Sequence, residues 1–151
     1  MPETIRILCV DDEINILHVI RRQLADLDVE LHLALSVPEG LRILRRADPM
    51  HVVLSDYRMP GMNGIEFLAC VARECPAASR ILLSGFADAE AVDRALERQK
   101  LFAFLHKPWK ASELLQVVVE AVALSRAVRA AGVAPAAAAA SEIKRTEGLP
   151  S

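Results

Sequence analysis

The sequence predicts an α/β domain in which five parallel strands alternate with five helices in a doubly wound sheet. Two observations lead to this prediction. Short runs of nearly continuous apolar residues, typical of strands buried on both faces, alternate with longer segments whose apolar residues recur at helical spacing. The chain has 151 residues, 53% of them hydrophobic and 25% charged, which is enough to bury one core of ordinary size.

The first two strands and helices are predicted in the amino-terminal third of the chain. Ile5–Val10 is nearly all apolar and predicts a buried strand, and Ile14–Ala25 carries apolar residues at helical spacing. Val29–Ala34 alternates apolar with polar residues and predicts a second, weaker strand. Ser36 is a suitable N-cap for a helix that extends to about Arg46.

The middle of the chain repeats the alternation around a loop rich in turn-forming residues. His51–Ser55 predicts another buried strand, and Met59–Gly64 contains the proline, asparagine and glycines of a loop. Ile65–Glu74 predicts a helix. Arg80–Ser84 predicts the fourth strand, which Gly85 ends.

The last predicted elements lead into a segment of a different composition. A helix is expected over Asp88–Gln99, a strand over Leu101–His106, and a final, extended helix over Ala111–Ala131. We therefore expect one domain over residues 1–131. Residues 132–151, rich in alanine and proline, are expected to form a flexible tail or linker.

Composition and charge exclude several classes of protein. The net charge of −2 indicates no direct binding of nucleic acid or of an anionic membrane surface. No segment is long and apolar enough to span a bilayer. Cys9, Cys70 and Cys75 form no ligand-spaced cluster and are interpreted as reduced thiols. The sequence thus predicts a cytoplasmic protein without membrane partners.

Acidic residues follow two of the buried strands. Asp11, Asp12 and Glu13 come after the first strand and Asp56 after the third, so the carboxyl edge of a parallel sheet would bring their carboxylates together. Oxygen ligands without cysteine or histidine favour a hard cation such as Mg²⁺. The alternative is that Asp11, Asp12 and Glu13 simply cap the following helix.

A hydroxyl and an ammonium group lie at the ends of the fourth and fifth strands, at the same edge. Ser84 ends the fourth strand and Lys107 follows the fifth, and both side chains can donate hydrogen bonds to the oxygens of a tetrahedral anion. Each residue alone is readily explained as a turn serine or a solvated lysine. The combination of all these polar groups at one edge is what favours a functional site.

Four motifs in this order resemble those of two-component response-regulator receiver domains. The resemblance covers about Thr4 to Ala123, and the motifs are Val10–Glu13, Ser55–Gly64, Leu83–Gly85 and His106–Trp109. It implies a flavodoxin-like sheet with the strand order 2-1-3-4-5. Arg58, two places after Asp56, and the segment Phe102–Trp109 resemble a subgroup often fused to metal-dependent phosphohydrolase or transcriptional output domains.

The resemblance also implies a metal site. Asp56 would be the phosphoacceptor, and Asp12 and Asp56 would bind Mg²⁺ directly, with Mn²⁺ as a substitute. Asp11 would bind through water, and Arg58 through its backbone carbonyl.

Three further residues receive roles from the resemblance. Lys107 would contact the phosphoryl group and, before phosphorylation, Asp56 itself. Ser84 would turn toward a phosphoryl oxygen, and Phe104 would then rotate from solvent toward the core as the second switch residue. The alternative for Phe104 is plain core packing, since Phe102 and Phe104 share one strand face. Serine stands at position 84 where threonine is commoner, which keeps the hydroxyl and frees its rotamer.

The implied function is that of a signalling switch and not of an enzyme acting on other substrates. Its partners would be a histidine kinase or a histidine phosphotransfer protein, and the surface of the fourth helix, fifth strand and fifth helix could form a homodimer. One alternative is a phosphate-independent interaction module, although every pocket residue is present. Another is a phosphohydrolase with an aspartyl-phosphate intermediate, which needs an aspartate two residues after the nucleophile, where this chain has Arg58.

Overall fold

The computed structural model describes residues 3–46, 48–85, 88–97, 100–132 and 144–146. The strands are β1 (Arg6–Val10), β2 (Glu30–Ala34), β3 (Val52–Asp56), β4 (Ser79–Ser84), β5 (Ala103–His106) and β6 (Lys144–Thr146). The helices are α1 (Ile14–Gln23), α2 (Val37–Arg46), α3 (Gly64–Glu74), α4 (Ala89–Leu96) and α5 (Ala111–Ala131). None of the helices in these ranges is long and apolar enough to cross a bilayer.

All strands pair in parallel, in the order β2-β1-β3-β4-β5-β6. The predicted doubly wound sheet with the order 2-1-3-4-5 is confirmed. The sixth strand, which the sequence did not predict, lies outside β5 with Lys144 opposite Ala103 and Thr146 opposite Leu105. Residues 133–143 and 147–151, the rest of the expected tail, lie outside the described residues, as does the expected helix end at Gln99.

The sheet separates two apolar clusters because successive side chains of a strand point to opposite faces. In β1, Leu8 and Val10 belong to the cluster that also contains buried residues of α2, α3 and α4, whereas Ile7 and Cys9 belong to the cluster beneath α1 and α5. Burial of each such side chain contributes about 1.5–3 kcal/mol, so both faces of the sheet are held by many contacts.

The loop between β3 and α3 is fixed by local backbone chemistry. Asn63 caps α3 by accepting a hydrogen bond from the Glu66 amide at 2.9 Å, and the Glu66 side chain accepts one from the Asn63 amide at 3.0 Å. At Gly64, a Cβ atom would lie 2.0 Å from the carbonyl oxygen of Asp56. Only glycine therefore allows α3 to start so close to the end of β3.

Helix α5 runs from the carboxyl edge of the sheet back to its amino edge. At its start, the Glu113 side chain accepts a hydrogen bond from the Lys110 amide at 2.9 Å. Near its end, Ser125 Oγ donates to the carbonyl of Ala77, just before β4, at 2.6 Å. Gly132, with φ of +70°, ends the helix in the left-handed conformation that favours glycine.

Candidate functional site

The carboxyl edge of the sheet collects the polar residues that follow the strands. Backbone hydrogen bonds continue the pairing past the strand ends: the amide of Asp11 donates to Ala34 at 3.1 Å and that of Lys107 to Ser84 at 2.8 Å. These bonds fix the backbone of the site residues, so their side chains start from a rigid edge. The register places Val10 beside Ser55 and Ser84 beside His106.

Three carboxylates meet at this edge. Asp11, Asp12 and Asp56 each offer an oxygen, and these oxygens lie within 4.8 Å of one another. Asp11 is fully buried, Asp56 is 6% exposed and Asp12 is exposed. The set is made of oxygen donors alone and one member faces solvent, which fits a hard cation that keeps part of its water shell. The residues present therefore fit a divalent cation such as Mg²⁺.

Helix capping alone does not describe the geometry of the acidic run. Glu13 is the N-cap residue of α1, and it makes no capping hydrogen bond through its side chain. Asp11 Oδ1 accepts a hydrogen bond from the Glu13 amide at 2.9 Å, while Asp11 Oδ2 lies 3.2 Å from Lys107 Nζ. The Asp11 carboxylate thus bridges the start of α1 and the lysine.

Lys107 is the cation that the structure places among the carboxylates. Its Nζ lies 2.9 Å from Asp56 Oδ1, the contact that the resemblance implies for the unphosphorylated state. Burial acts to lower the pKa of Lys107, but the hydrogen bond to Asp56 and the charges of Asp11 and Asp56 outweigh it and raise the pKa. Lys107 is therefore held in its charged form.

One lysine does not neutralise three carboxylates. Burial raises the pKa of Asp56 to about 6, and the charges of Asp11 and Asp12 add to the effect, while Lys107 opposes it. Burial likewise raises the pKa of Asp11, against the Glu13 amide and Lys107. The site thus carries an excess of negative charge that a bound cation would relieve.

The two expected switch residues, Ser84 and Phe104, are both buried. Ser84 is buried, and its Oγ donates to the carbonyl of Gly85 at 3.1 Å. Phe104 is only 2% exposed, so the expectation that its ring starts in solvent is wrong. The ring belongs to the apolar cluster of α4 and packs edge-on against His106, with the ring centroids 4.6 Å apart. Alternation along β5 directs Phe104 to that covered face.

Asp88 is a site residue that sequence reasoning treated only as the start of a helix. Arg58 Nε lies 2.5 Å from Asp88 Oδ1, so the guanidinium of the β3–α3 loop pairs with the residue before α4. The pair spans a cleft of about 540 Å³ that also has Asp12 in its lining. No local sequence pattern predicts a contact between two loop residues that are thirty positions apart. The role of the Arg58 carbonyl as a metal ligand stays a prediction.

An apolar groove lies on the other side of Lys107. It is lined by Lys107 itself, by Pro108 and Trp109 after it, and by Ile16 and Val19 of α1. The Trp109 Nε1 group donates to Gln23 Oε1 at 2.7 Å, which fixes the indole against α1. The candidate phosphoacceptor site is thus flanked by a polar cleft and an apolar groove.

Comparisons with known proteins agree on one family. Residues 7–119 match the response regulator receiver domain. The chain is 35% identical over 117 residues to the hydrogenase transcriptional regulatory protein HoxA of Cupriavidus necator, a match that covers 77% of this chain and 24% of HoxA. The chain spans about a quarter of the length of the curated relatives that it matches first.

Two solved structures show the same fold. A crystal structure of an uncharacterized protein from Neptuniibacter caesariensis superposes with a TM-score of 0.79 at 34% identity, covering 83% of this chain and 92% of that one. The signal receiver domain of an HD domain-containing protein from Pseudomonas fluorescens gives a TM-score of 0.77 at 29% identity, covering 83% and 99%.

Proposed function

Because the chain belongs to the response-regulator receiver family, we propose that it is a signalling switch that accepts a phosphoryl group on Asp56 from a phospho-histidine donor. The donor would be a histidine kinase or a histidine phosphotransfer protein. The observation that carries the proposal is the contact of Lys107 with Asp56 beside two further carboxylates. The cytoplasm is the compartment that we propose, and the unpaired state of Cys9, Cys70 and Cys75 agrees with it.

We propose that Asp11, Asp12 and Asp56 hold Mg²⁺, with Mn²⁺ as a substitute. Asp12 and Asp56 would bind directly, Asp11 through water, and the Arg58 carbonyl would be the remaining protein ligand. When bound, the divalent cation neutralises charge on the phosphoryl oxygens during transfer.

The residues of the chain have separate tasks in the transfer. An oxygen of Asp56 forms a bond to phosphorus while the bond from phosphorus to the imidazole nitrogen of the donor breaks. Lys107 Nζ, already 2.9 Å from Asp56 Oδ1, donates to the phosphoryl oxygens as charge moves onto them. With a pKa of about 6, the Asp56 carboxyl is mostly ionised near neutral pH and so remains able to attack.

The alternative functions have less support. An aspartyl-phosphate phosphohydrolase would need an acid two residues after Asp56, and Arg58 stands there with its guanidinium paired to Asp88. A phosphate-independent module would have no use for three carboxylates gathered around a lysine at one edge of the sheet, where the repulsion between the carboxylates lowers stability. We therefore propose no substrate other than the chain's own Asp56.

The output would pass through Ser84 and Phe104. A phosphoryl oxygen is a stronger, charged acceptor than the Gly85 carbonyl, which Ser84 Oγ now contacts at 3.1 Å. Turning Ser84 would change the packing of the buried Phe104 ring on the neighbouring strand and so alter the surface of α4, β5 and α5. On α5, Leu115 is 36% and Val119 48% exposed, which suits a homodimer or a partner helix.

Sedimentation with and without a beryllofluoride mimic of the phosphoryl group tests this output surface. We expect self-association to change with the mimic, and Val119→Asp to remove the change because it places a charge on the apolar strip. Ala123→Asp, also exposed on α5, is the matched control. An unchanged association state in the wild type would exclude a homodimer as the output.

The chain following α5 would connect this switch to its effector. We propose that the chain beyond α5, which includes β6, links this switch to an output domain, because the matched segment makes up only 24% of HoxA. HoxA is named as a transcriptional regulatory protein, and the Pseudomonas structure comes from an HD domain-containing protein. An output of either class is compatible with this linker.

The central test is phosphorylation by acetyl phosphate, followed by intact mass. We expect the wild type to gain one phosphoryl group only when Mg²⁺ is present, and Asp56→Asn to gain none, because an amide is a poor nucleophile. Asp26→Asn, which removes an exposed carboxylate away from the site, is the matched control and should label like wild type. Comparable labelling of Asp56→Asn would mean that another residue is the acceptor.

A further inference from the structure

We propose that the Arg58–Asp88 ion pair is a strut across the cleft beside Asp56, which limits the access of water and so prolongs the life of the phosphoryl group. The inference rests on the proposed function, since it concerns the hydrolysis of phosphorylated Asp56. It assigns both side chains a positioning role that is separate from metal binding and transfer.

The strut joins the two walls of one cleft. The first wall is the β3–α3 loop, represented by Tyr57, Arg58 and Met59, and the second is the start of α4, represented by Asp88 and Ala91. The cleft holds about 540 Å³ and has the metal-site residue Asp12 in its lining, so it lies directly beside the candidate phosphoacceptor site. Arg58 is the residue that reaches across, with Nε 2.5 Å from Asp88 Oδ1.

The two partners differ in exposure, which makes the pair hard to open. The Asp88 side chain is 8% exposed, whereas that of Arg58 is 72% exposed and lines the cleft together with Asp88. Withdrawing Arg58 would leave a buried carboxylate without its cation, and that penalty exceeds the loss of an ordinary surface pair. The closed arrangement is therefore favoured over one in which the walls move apart.

Hydrolysis needs the space that the strut restricts. A water oxygen forms a bond to phosphorus, the bond between phosphorus and the Asp56 oxygen breaks, and the products are inorganic phosphate and a free Asp56 carboxylate. The attacking water must approach the phosphoryl group from the side opposite Asp56. If the strut holds the β3–α3 loop and α4 at a fixed separation, few waters occupy that position at any time.

The structure also connects the strut to the helix of the output surface. Asp88 immediately precedes α4, and its amide donates to the Gly85 carbonyl at 3.3 Å, one residue after Ser84. Loss of the ion pair should therefore loosen the start of α4 as well as open the cleft. Amide exchange of α4 is thus a second readout, independent of the chemistry at Asp56.

The experiment measures the decay of the phosphoryl group. The wild type, Arg58→Gln, Asp88→Asn, the double variant and Arg58→Lys are labelled with acetyl phosphate and Mg²⁺, freed of donor, and followed by intact mass. Both single substitutions should shorten the half-life about threefold or more. The double variant should be no faster than either single one, and Arg58→Lys should retain most of the half-life because it keeps the charge.

Two controls test whether the effect belongs to the ion pair itself. Glu90→Gln removes an exposed carboxylate from the first turn of α4 and should leave the half-life unchanged. Amide exchange over Ala89–Leu96, measured without phosphorylation, should be faster in Arg58→Gln and Asp88→Asn than in the wild type and Glu90→Gln. This measurement reports on the strut even in a variant that takes up little label.

Several results would overturn the inference. Unchanged half-lives in both single variants would contradict the inference. So would opposite effects of Arg58→Gln and Asp88→Asn, which would mean that Arg58 acts on the phosphoryl group directly and that Asp88 only holds it away from that group. Additive effects in the double variant, or unchanged exchange of α4, would show that the two residues do not act as a pair. If the wild type itself took no label, the proposed function would fail first, which is a distinguishable outcome.

Discussion

The amino and carboxyl edges of the sheet are formed by opposite ends of the same strands, yet they differ in how their polar groups are paired. At the amino edge, buried His51 has both ring nitrogens partnered: Nδ1 accepts from the Arg6 amide at 3.1 Å, and Nε2 lies 2.8 Å from Glu3 Oε1. Ser79 Oγ donates to the Ala121 carbonyl at 2.7 Å, which ties β4 to α5. At the carboxyl edge, three carboxylates lie together and Lys107 contacts two of them, those of Asp11 and Asp56. His51 and Ser79 are thus paired at the amino edge, whereas the carboxylates at the carboxyl edge repel one another.

This difference shows where the fold is stabilised and where it is made reactive. Paired polar groups at the amino edge lock α5 and the strand starts together, as buried groups must be to avoid a desolvation penalty. The carboxyl edge keeps excess charge, which lowers stability but creates affinity for a cation and for a phosphoryl group. Substitutions at the two edges should therefore separate stability from chemistry.

The largest effect is expected from removing a metal ligand at the carboxyl edge. Asp12→Ala should lower the rate of labelling by acetyl phosphate by about 100-fold or more, because the lost cation contributes several kcal/mol to the transition state. It should also lose the rise in melting temperature that Mg²⁺ causes in the wild type. Ala replacement of exposed Asp28 is the control. A Mg²⁺ response that survived Asp12→Ala would place the cation elsewhere.

The opposite profile is expected at the amino edge. His51→Ala should lower the free energy of unfolding by about 2–4 kcal/mol, since it opens a cavity and leaves the Arg6 amide without its acceptor. Labelling per folded molecule should stay at the wild-type level, because His51 lies at the far end of the sheet. Urea denaturation measures the first quantity, with exposed His18→Ala as the control. A labelling defect in folded His51→Ala would contradict the separation of the two edges.

A smaller effect is expected from pH in the presence of a chelator. Burial raises the pKa of Asp56 from 3.8 to about 6, so the folded chain binds this proton more tightly than the unfolded chain. The free energy of unfolding should therefore fall as pH rises through this range, by at most about 3 kcal/mol. Both Mg²⁺ and Asp56→Asn should flatten the dependence. The same slope in Asp56→Asn and wild type would assign it to other groups.

Much of the fold and the gathering of the site could be predicted because both depend on regular patterns. The buried strand β3 follows from its apolar run, and parallel pairing alone brings its Asp56 to the edge that Asp11 and Lys107 occupy. The ends of helices were predicted less accurately. Helix α1 ends at Gln23 and not at Ala25, because the few residues of a last turn show little apolar periodicity.

What could not be predicted depends on contacts between side chains or on backbone alone. The pairing of Arg58 with Asp88 joins two loops, whose relative position no periodicity reports. The inward position of the Phe104 ring depends on the packing of α4 against β5. Alternation along the strand predicts the face on which this side chain lies, but not the rotamer that it adopts before phosphorylation. Strand β6 has the sequence Lys-Arg-Thr, without an apolar pattern, and pairs through backbone groups to the open edge of β5.

The sixth strand decides on which side of the molecule an attached protein would sit. Helix α5 delivers the chain to the amino edge at Gly132, but β6 runs parallel to β5 and so returns it toward the edge that carries Asp56 by Thr146. A fluorescent reporter fused after Gly132 would be placed at the face opposite the chemistry. Fused after Thr146, the same reporter would lie near the edge at which the phospho-histidine donor approaches Asp56. The position of the junction alone would therefore decide whether the reporter leaves phosphorylation unaffected or blocks the donor sterically.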